Sequence, residues 1–270
     1  MVVLDILGKK VYFHPRTQEN LDYYAKALTQ KWDSVLLLDG EEGSGKTSLG
    51  CGLAAYMADK FGTTFDVSNV VFTADQFNKL VDDSKPFNVI FWDEFTFSGL
   101  STEVFKQMQI NIVKKFTTIR KKQLIIILII PYIFQLQKYF AVARAKCLFH
   151  VYSPDNLKRG YFRFYSRPSK RRLYIKGYKF WEYPRNSWDF EGTFIDYLPK
   201  FLDLEAYDKK KEEAIKSLSE QNVLSKAVLG RNNIIITAAT KWGVDQKEIA
   251  KASGLSRSFI NRVIRGVQND

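Results

Sequence analysis

Sulfur is scarce in this chain of 270 residues, which has two cysteines and three methionines. Cys51 and Cys147 stand in apolar segments. Two cysteines alone cannot make a metal site, and neither histidine stands at ligand spacing with them. Two reduced core thiols are expected, as in a cytosolic protein. Histidine is as rare: His14 and His150 fit no ligand pattern and read as structural. A membrane-spanning run is missing too. The most apolar stretch, 124–134, is too short for a bilayer and contains Pro131; it reads as a strand buried on both faces. Residues 1–8 lack the basic start and long apolar core of a secretory leader. The expectation is a protein with no integral membrane segment, in the cytoplasm of a prokaryotic or phage-infected cell. Acidic side chains are in deficit, 29 against 41 basic ones, for a net charge of +12. Residues 151–200 alone hold 11 basic and 5 acidic side chains, which points to a polyanionic partner or an anionic membrane surface.

What is present is organised around Gly40-Glu41-Glu42-Gly43-Ser44-Gly45-Lys46-Thr47. This fits G-x-x-x-x-G-K-[ST], the phosphate-binding P-loop. The apolar run 35–39 should feed it as a strand, and residues 47–57 should leave it as a helix. Glycines let backbone N–H groups form a nest for phosphate oxygens, and the helix N-terminus adds its own orphan donors through Ser48. Lys46 is expected on the β- and γ-phosphates of ATP, with the Thr47 hydroxyl on Mg²⁺. The alternative is a glycine turn before an ordinary helix.

A second motif ends the apolar run 87–92 in Asp93-Glu94. This resembles the Walker B strand of P-loop ATPases, whose C-terminal end shares the crevice with the P-loop. The resemblance implies that Asp93 holds Mg²⁺ and that Glu94 is the general base that orients the attacking water; the alternative is that Asp-Glu merely begins a loop. Around them the chain reads as strand and helix in alternation. Thr73 with Gln76 marks a helix start, Lys85-Pro86 breaks that helix, and 102–119 has helical spacing. Strands are expected at 124–130 and 146–152, with a helix near 132–143. That order predicts a parallel sheet between helices. Residues 1–34 read as a short strand, a turn at His14-Pro15 and a helix from about 17 to 31.

Asp93-Glu94, the following helix, 118–123, the apolar strand, Leu136 and Arg144 resemble the additional-strand, catalytic-glutamate ATPases. The likeness is to the FtsK/HerA superfamily of DNA-pumping enzymes, and above all to the zonular occludens toxin-like phage ATPases, over residues 33–152. It implies a RecA-like core, ATP hydrolysis, homo-oligomers, and an arginine finger for which Arg120 and Arg144 are candidates. Helix-end arginines without such a role are the alternative. The family's sensor glutamine has no counterpart here: Pro131 occupies its place, and Gln135 and Gln137 are out of register.

Residues 160–166 and 172–178 alternate around Arg167-Pro168-Ser169-Lys170-Arg171, which predicts a β-hairpin. Its Arg163, Arg167, Lys170, Arg171 and Arg172, interleaved with aromatics, suit phosphates and unpaired bases; an ordinary solvated basic face is the alternative. Residues 201–230 read as a charged helical linker stopped by Gly230. In 244–266, Ile249 and Ala250 precede Gly254, then Phe259, Ile260, Val263 and Ile264 recur at helical spacing. This resembles a helix-turn-helix, with Ser256, Arg257, Ser258, Asn261, Arg262 and Arg265 left to meet DNA; a trihelical protein-interaction module is the alternative.

The fold expected is α/β, a RecA-like P-loop NTPase with a mostly parallel sheet flanked by helices and a small all-α C-terminal domain. Its boundaries fall at 1–34, 35–152, 153–200, 201–230 and 231–270. Two functions remain open: an ATP-driven DNA motor or remodeller of a mobile element, and an ATP-gated DNA-binding regulator or loader. A phage assembly ATPase is a third.

Overall fold

The structure is a computed structural model that describes residues 2–93, 113–116, 118–154 and 158–265; for 218–229 and 265 it describes the backbone alone. Glu94 and most of the helix expected at 102–119 lie outside the described residues. The chain divides into two compact units, 1–214 and 215–270.

The first unit opens with a hairpin, β1 (Val2–Ile6) and β2 (Lys9–Phe13), followed by helix α1 (Pro15–Thr29). Strand β3 (Ser34–Gly40) is buried along its whole length and enters the P-loop. Helix α2 (Lys46–Lys60) leaves it. Next come β4 (Val70–Val71) and α3 (Ala74–Asp83). The Thr73 hydroxyl accepts from Gln76 N while the Gln76 side chain returns to the Thr73 N–H, the expected capping box. Strands β5 (Val89–Trp92), β6 (Ile125–Ile129) and β7 (Cys147–Tyr152) complete the parallel part. Between β6 and β7 the expected helix is replaced by a 3-10 turn at Ile133–Gln135 and a π-type turn at Tyr139–Arg144.

Sheet order is β4-β5-β6-β3-β7, continued by β8 (Tyr161–Tyr165) and β9 (Phe190–Thr193), which run antiparallel. Leu36 and Leu38 of β3 face one core with α1 and α2, while Val35 and Leu37 face another with α3. That alternation is the period of two expected of a strand covered on both sides. The result is a three-layer sandwich.

The hairpin predicted for 160–178 is half right. Its first arm is β8, but its second is helix α4 (Arg167–Gly177). Pro168 sits in the first helical turn, where its missing N–H is no loss. Ser169, Lys170, Leu173, Tyr174 and Gly177 are the buried residues, a spacing of three to four that overrides the apparent alternation. Gly230 is no stop either: α5 (Leu204–Thr240) runs through it.

The second unit contains the C-terminal part of α5, then α6 (Gln246–Ser253) and α7 (Arg257–Arg265). Asp245 caps α6 by accepting from Lys247 N at 2.7 Å. Gly254 takes the left-handed φ of +67° that a tight exit from α6 requires, and Ser256 Oγ accepts from Phe259 N at 3.3 Å. Ile235, Ala238, Ile249, Ile260 and Ile264 form its small core.

Candidate functional site: a phosphate loop with a shared carboxylate

Sheet order places the site. β6 lies between β3, which leads into the P-loop, and β5, which leads into Asp93. Both strands run the same way, so their C-terminal ends meet at one crevice. Thr47 Oγ1, in the first turn of α2, lies 3.1 and 3.3 Å from the two Asp93 oxygens. Hydroxyl and carboxylate thus converge on one point, although 46 residues separate them.

The loop is shaped for phosphate. Gly40, Gly43 and Gly45 all have positive φ. At Gly40 a Cβ would overlap the Val151 carbonyl of β7, so only glycine lets the loop leave the sheet here. Lys46 Nζ donates to the carbonyls of Gly40 and Glu41 at 2.7 Å each. This folds the ammonium across the mouth of the nest, where phosphate oxygens could replace those carbonyls. Ser44 Oγ donates to Glu41 O at 2.7 Å and tightens the turn. Glu41 and Glu42 point to solvent. The residues present fit a nucleotide triphosphate with Mg²⁺: a nest, one cation, a hydroxyl and a carboxylate. When bound, the metal would supply charge neutralisation on the phosphates.

Several residues at this site were not anticipated. The Tyr207 hydroxyl, in the first turn of α5, donates to Asp93 Oδ2. Ser48 Oγ donates to Asp196 Oδ1 at 2.6 Å and accepts from Tyr197 N at 2.7 Å. Tyr197 packs over Gly52 of α2, and the Phe194 ring lies over Gly45. Residues 194–197 therefore lie along the phosphate-binding helix, and Tyr207 reaches the same crevice. Arg159 brings its guanidinium to the edge of the loop at Gly43. One signal was available in the sequence: Tyr207 is a lone aromatic in the charged run 203–213.

Below the loop, buried Asp39 accepts from Ile133 N at 3.0 Å, from His150 Nδ1 at 2.9 Å and from the Tyr183 hydroxyl. Burial, and then Asp39 itself, pushes the Tyr183 phenol well above its ordinary range, so it stays a donor. Gly40 N donates to Pro131 O at 3.0 Å. The position where a sensor side chain was expected thus serves the loop through its backbone carbonyl, and Asp39 fixes the residues just after it.

The arginine candidates lie elsewhere. Arg144 pairs with Asp33, at the start of β3, and stacks on Phe116 at 4.3 Å. Arg120 is exposed just before β6. Both stand where the parallel strands begin, at the opposite end from the P-loop of their own chain. Of the basic residues of 160–172, Lys170 is fully buried and donates to Ala141 O. Arg163 pairs with Glu191 at 2.9 Å and lies between Tyr152 and Trp188. Arg167 donates to Ala143 O at 3.1 Å. Arg171 and Arg172 are left exposed. In the second unit Ser256, Arg257, Ser258 and Arg262 are exposed and Asn261 is half-buried.

Loop, strand order and the Thr47–Asp93 pair define a P-loop NTPase. Residues 18–154 match the family described as Novel STAND NTPase 3, and the chain belongs to that family. No match was found among curated proteins. No helix among the described residues is long and apolar enough to cross a membrane.

Proposed function

We propose that this protein is an ATP-gated, DNA-binding switch that hydrolyses ATP to reset itself. The carrying observation is the sharing of Asp93 between Thr47 and Tyr207. Tyr207 opens the same helix whose last turns belong to the C-terminal unit, so occupancy of the metal position and the start of that helix compete for one carboxylate. Lys46 binds and orients the β- and γ-phosphates, Thr47 and Asp93 hold Mg²⁺, and Glu94 takes the proton of the attacking water. In this reading α6 and α7 form a helix-turn-helix. Ser256, Arg257, Ser258, Asn261, Arg262 and Arg265 contact duplex DNA, the N-terminal end of α7 entering the major groove. A second copy completes the site, with exposed Arg120 the arginine that reaches it.

Two measurements test this: duplex DNA affinity with and without ATP and Mg²⁺, and ATP hydrolysis with and without DNA, in wild type and Glu94→Gln. A switch shows DNA affinity that depends on nucleotide, slow turnover, and tight nucleotide-dependent binding trapped in the variant. DNA affinity indifferent to nucleotide would defeat the reading. ATP-driven travel along long DNA would replace it with a motor.

A further inference from the structure

The C-terminal end of α4 and the turn after it present an unusual surface. Tyr178, Phe180 and Trp181 are exposed by 51%, 65% and 48%. Beside them stand Arg172, Lys176 and Lys179, also exposed. From 171 to 185 the chain carries five basic residues against one acidic residue, Glu182. The turn is compact rather than a loose tail: Phe180 N and Glu182 N both donate to Gly177 O at 3.2 Å. A side chain at Gly177 would overlap the Glu182 carbonyl and press on the Phe134 ring, so the backbone that carries the aromatics is closely packed. Each keeps about half or more of its surface in solvent. Trp181 rests on Tyr132 and Phe134 at 6.1 and 6.3 Å between centroids, and Tyr178 on Tyr174 at 5.2 Å. Lys179 Nζ lies over Phe180 at 5.1 Å.

We infer that this surface is a binding platform for single-stranded nucleic acid. Held rings with open faces stack on unpaired bases whatever their sequence, and cations at short intervals follow the phosphates. Charge complementarity chooses the occupant. Arg172, Lys176 and Lys179 alternate along the chain with Tyr174, Tyr178, Phe180 and Trp181, a spacing that matches a strand alternating phosphate and base. The platform is linked to the nucleotide site through one intervening segment. Tyr132, against which Trp181 packs, directly follows Pro131, whose carbonyl holds Gly40 N. A strand stacked on Trp181 would therefore bear on the segment that supports the P-loop. This inference is independent of the duplex-binding role given to α7.

The test uses the full chain carrying Arg257→Ala and Arg262→Ala, so that duplex contacts by α7 are removed. The probes are a fluorescein-labelled oligothymidylate of about twenty nucleotides, a duplex of the same length, and vesicles containing phosphatidylserine. The oligothymidylate should still bind. Adding Phe180→Ala should weaken it about tenfold, with melting temperature unchanged because the ring is largely exposed. Adding Lys176→Ala and Lys179→Ala should flatten the salt dependence by about 0.7 per cation removed. Oligothymidylate binding indifferent to all three changes overturns the platform, as does vesicle binding without oligothymidylate binding. If the α7 variant instead keeps full duplex affinity, the role of α7 falls while the platform stands or falls on the single strand alone.

Discussion

The Tyr207 hydroxyl donates to Asp93 Oδ2 across 114 residues of sequence, and the same oxygen lies 3.1 Å from Thr47 Oγ1. A carboxylate that accepts from both presents less free lone-pair density to a cation. Tyr207→Phe removes one donor and keeps the ring that packs on Phe72 at 5.4 Å. Releasing a hydrogen bond worth about 1 kcal/mol should tighten Mg²⁺-nucleotide binding about fivefold. Titration of a fluorescent ATP analogue at fixed Mg²⁺ measures this, and unchanged affinity would show that Tyr207 does not compete.

Lys46→Ala should leave the fold intact, because the side chain is half-buried at the loop, donating to the carbonyls of Gly40 and Glu41, and is no part of the apolar core. Wild type held at 100 times its Kd for ATP gains about 2.7 kcal/mol of stability. The variant should lose that gain and all turnover. Thermal melts with and without Mg²⁺-ATP separate the two effects: melting temperatures that agree without nucleotide and diverge with it are expected.

Gly40→Ala tests the junction of strand and loop. The new methyl would overlap the Val151 carbonyl in β7, at a backbone φ of +136°. Strain and overlap together should cost about 3 kcal/mol. Urea denaturation should show the loss, and nucleotide affinity should fall with it because the nest begins at this residue.

Lys170 gives a pH dependence. Burial lowers its pKa from 10.5 to about 8. Between those values the unfolded chain holds a proton that the folded chain has released, so stability rises with pH there, by up to about 1.4 kcal/mol per unit. The penalty of the buried cation is complete below pH 8 and fades towards 10.5. Lys170→Met removes the titration. Denaturation midpoints at pH 7.5 and 9.5 should therefore rise less with pH, relative to wild type, in the variant.

Arg144 distinguishes a structural arginine from a finger. Asp33, its partner, is only 5% exposed as a side chain, and Lys146 Nζ stands off at 3.7 Å. Arg144→Ala should cost roughly 3 kcal/mol by leaving that carboxylate poorly paired. Turnover per folded molecule should survive, which activity normalised to the folded fraction would establish.

Much of the core was legible because its signals are local. The glycine loop, the apolar strand ahead of it and the Thr73–Gln76 cap each occupy a few consecutive residues. Pro168 after Ser166 was a helix-start signal as well, but the alternation of 172–178 hid it; an amphipathic stretch this short fits either period until a neighbour claims one face. Tertiary partners were out of reach. Nothing near Asp93 in sequence announces Tyr207, nor does anything near Ser48 announce Asp196. Asp39 closes an otherwise apolar strand, a lone charge that signals a buried network without naming His150 and Tyr183. Gly230 shows propensity overruled, since one glycine costs a helix about 1 kcal/mol and α5 continues through it.

The antiparallel return through β8 and β9 has a practical corollary for dissection. A fragment ending with the last parallel strand would keep both phosphate-binding motifs and still be incomplete. It would strip Asp196 from Ser48, Tyr197 from the groove at Gly52 and Tyr207 from Asp93, uncovering the apolar flank of α2. The smallest piece that can be expressed and trusted as a catalytic core should therefore reach about residue 214, where the first unit ends.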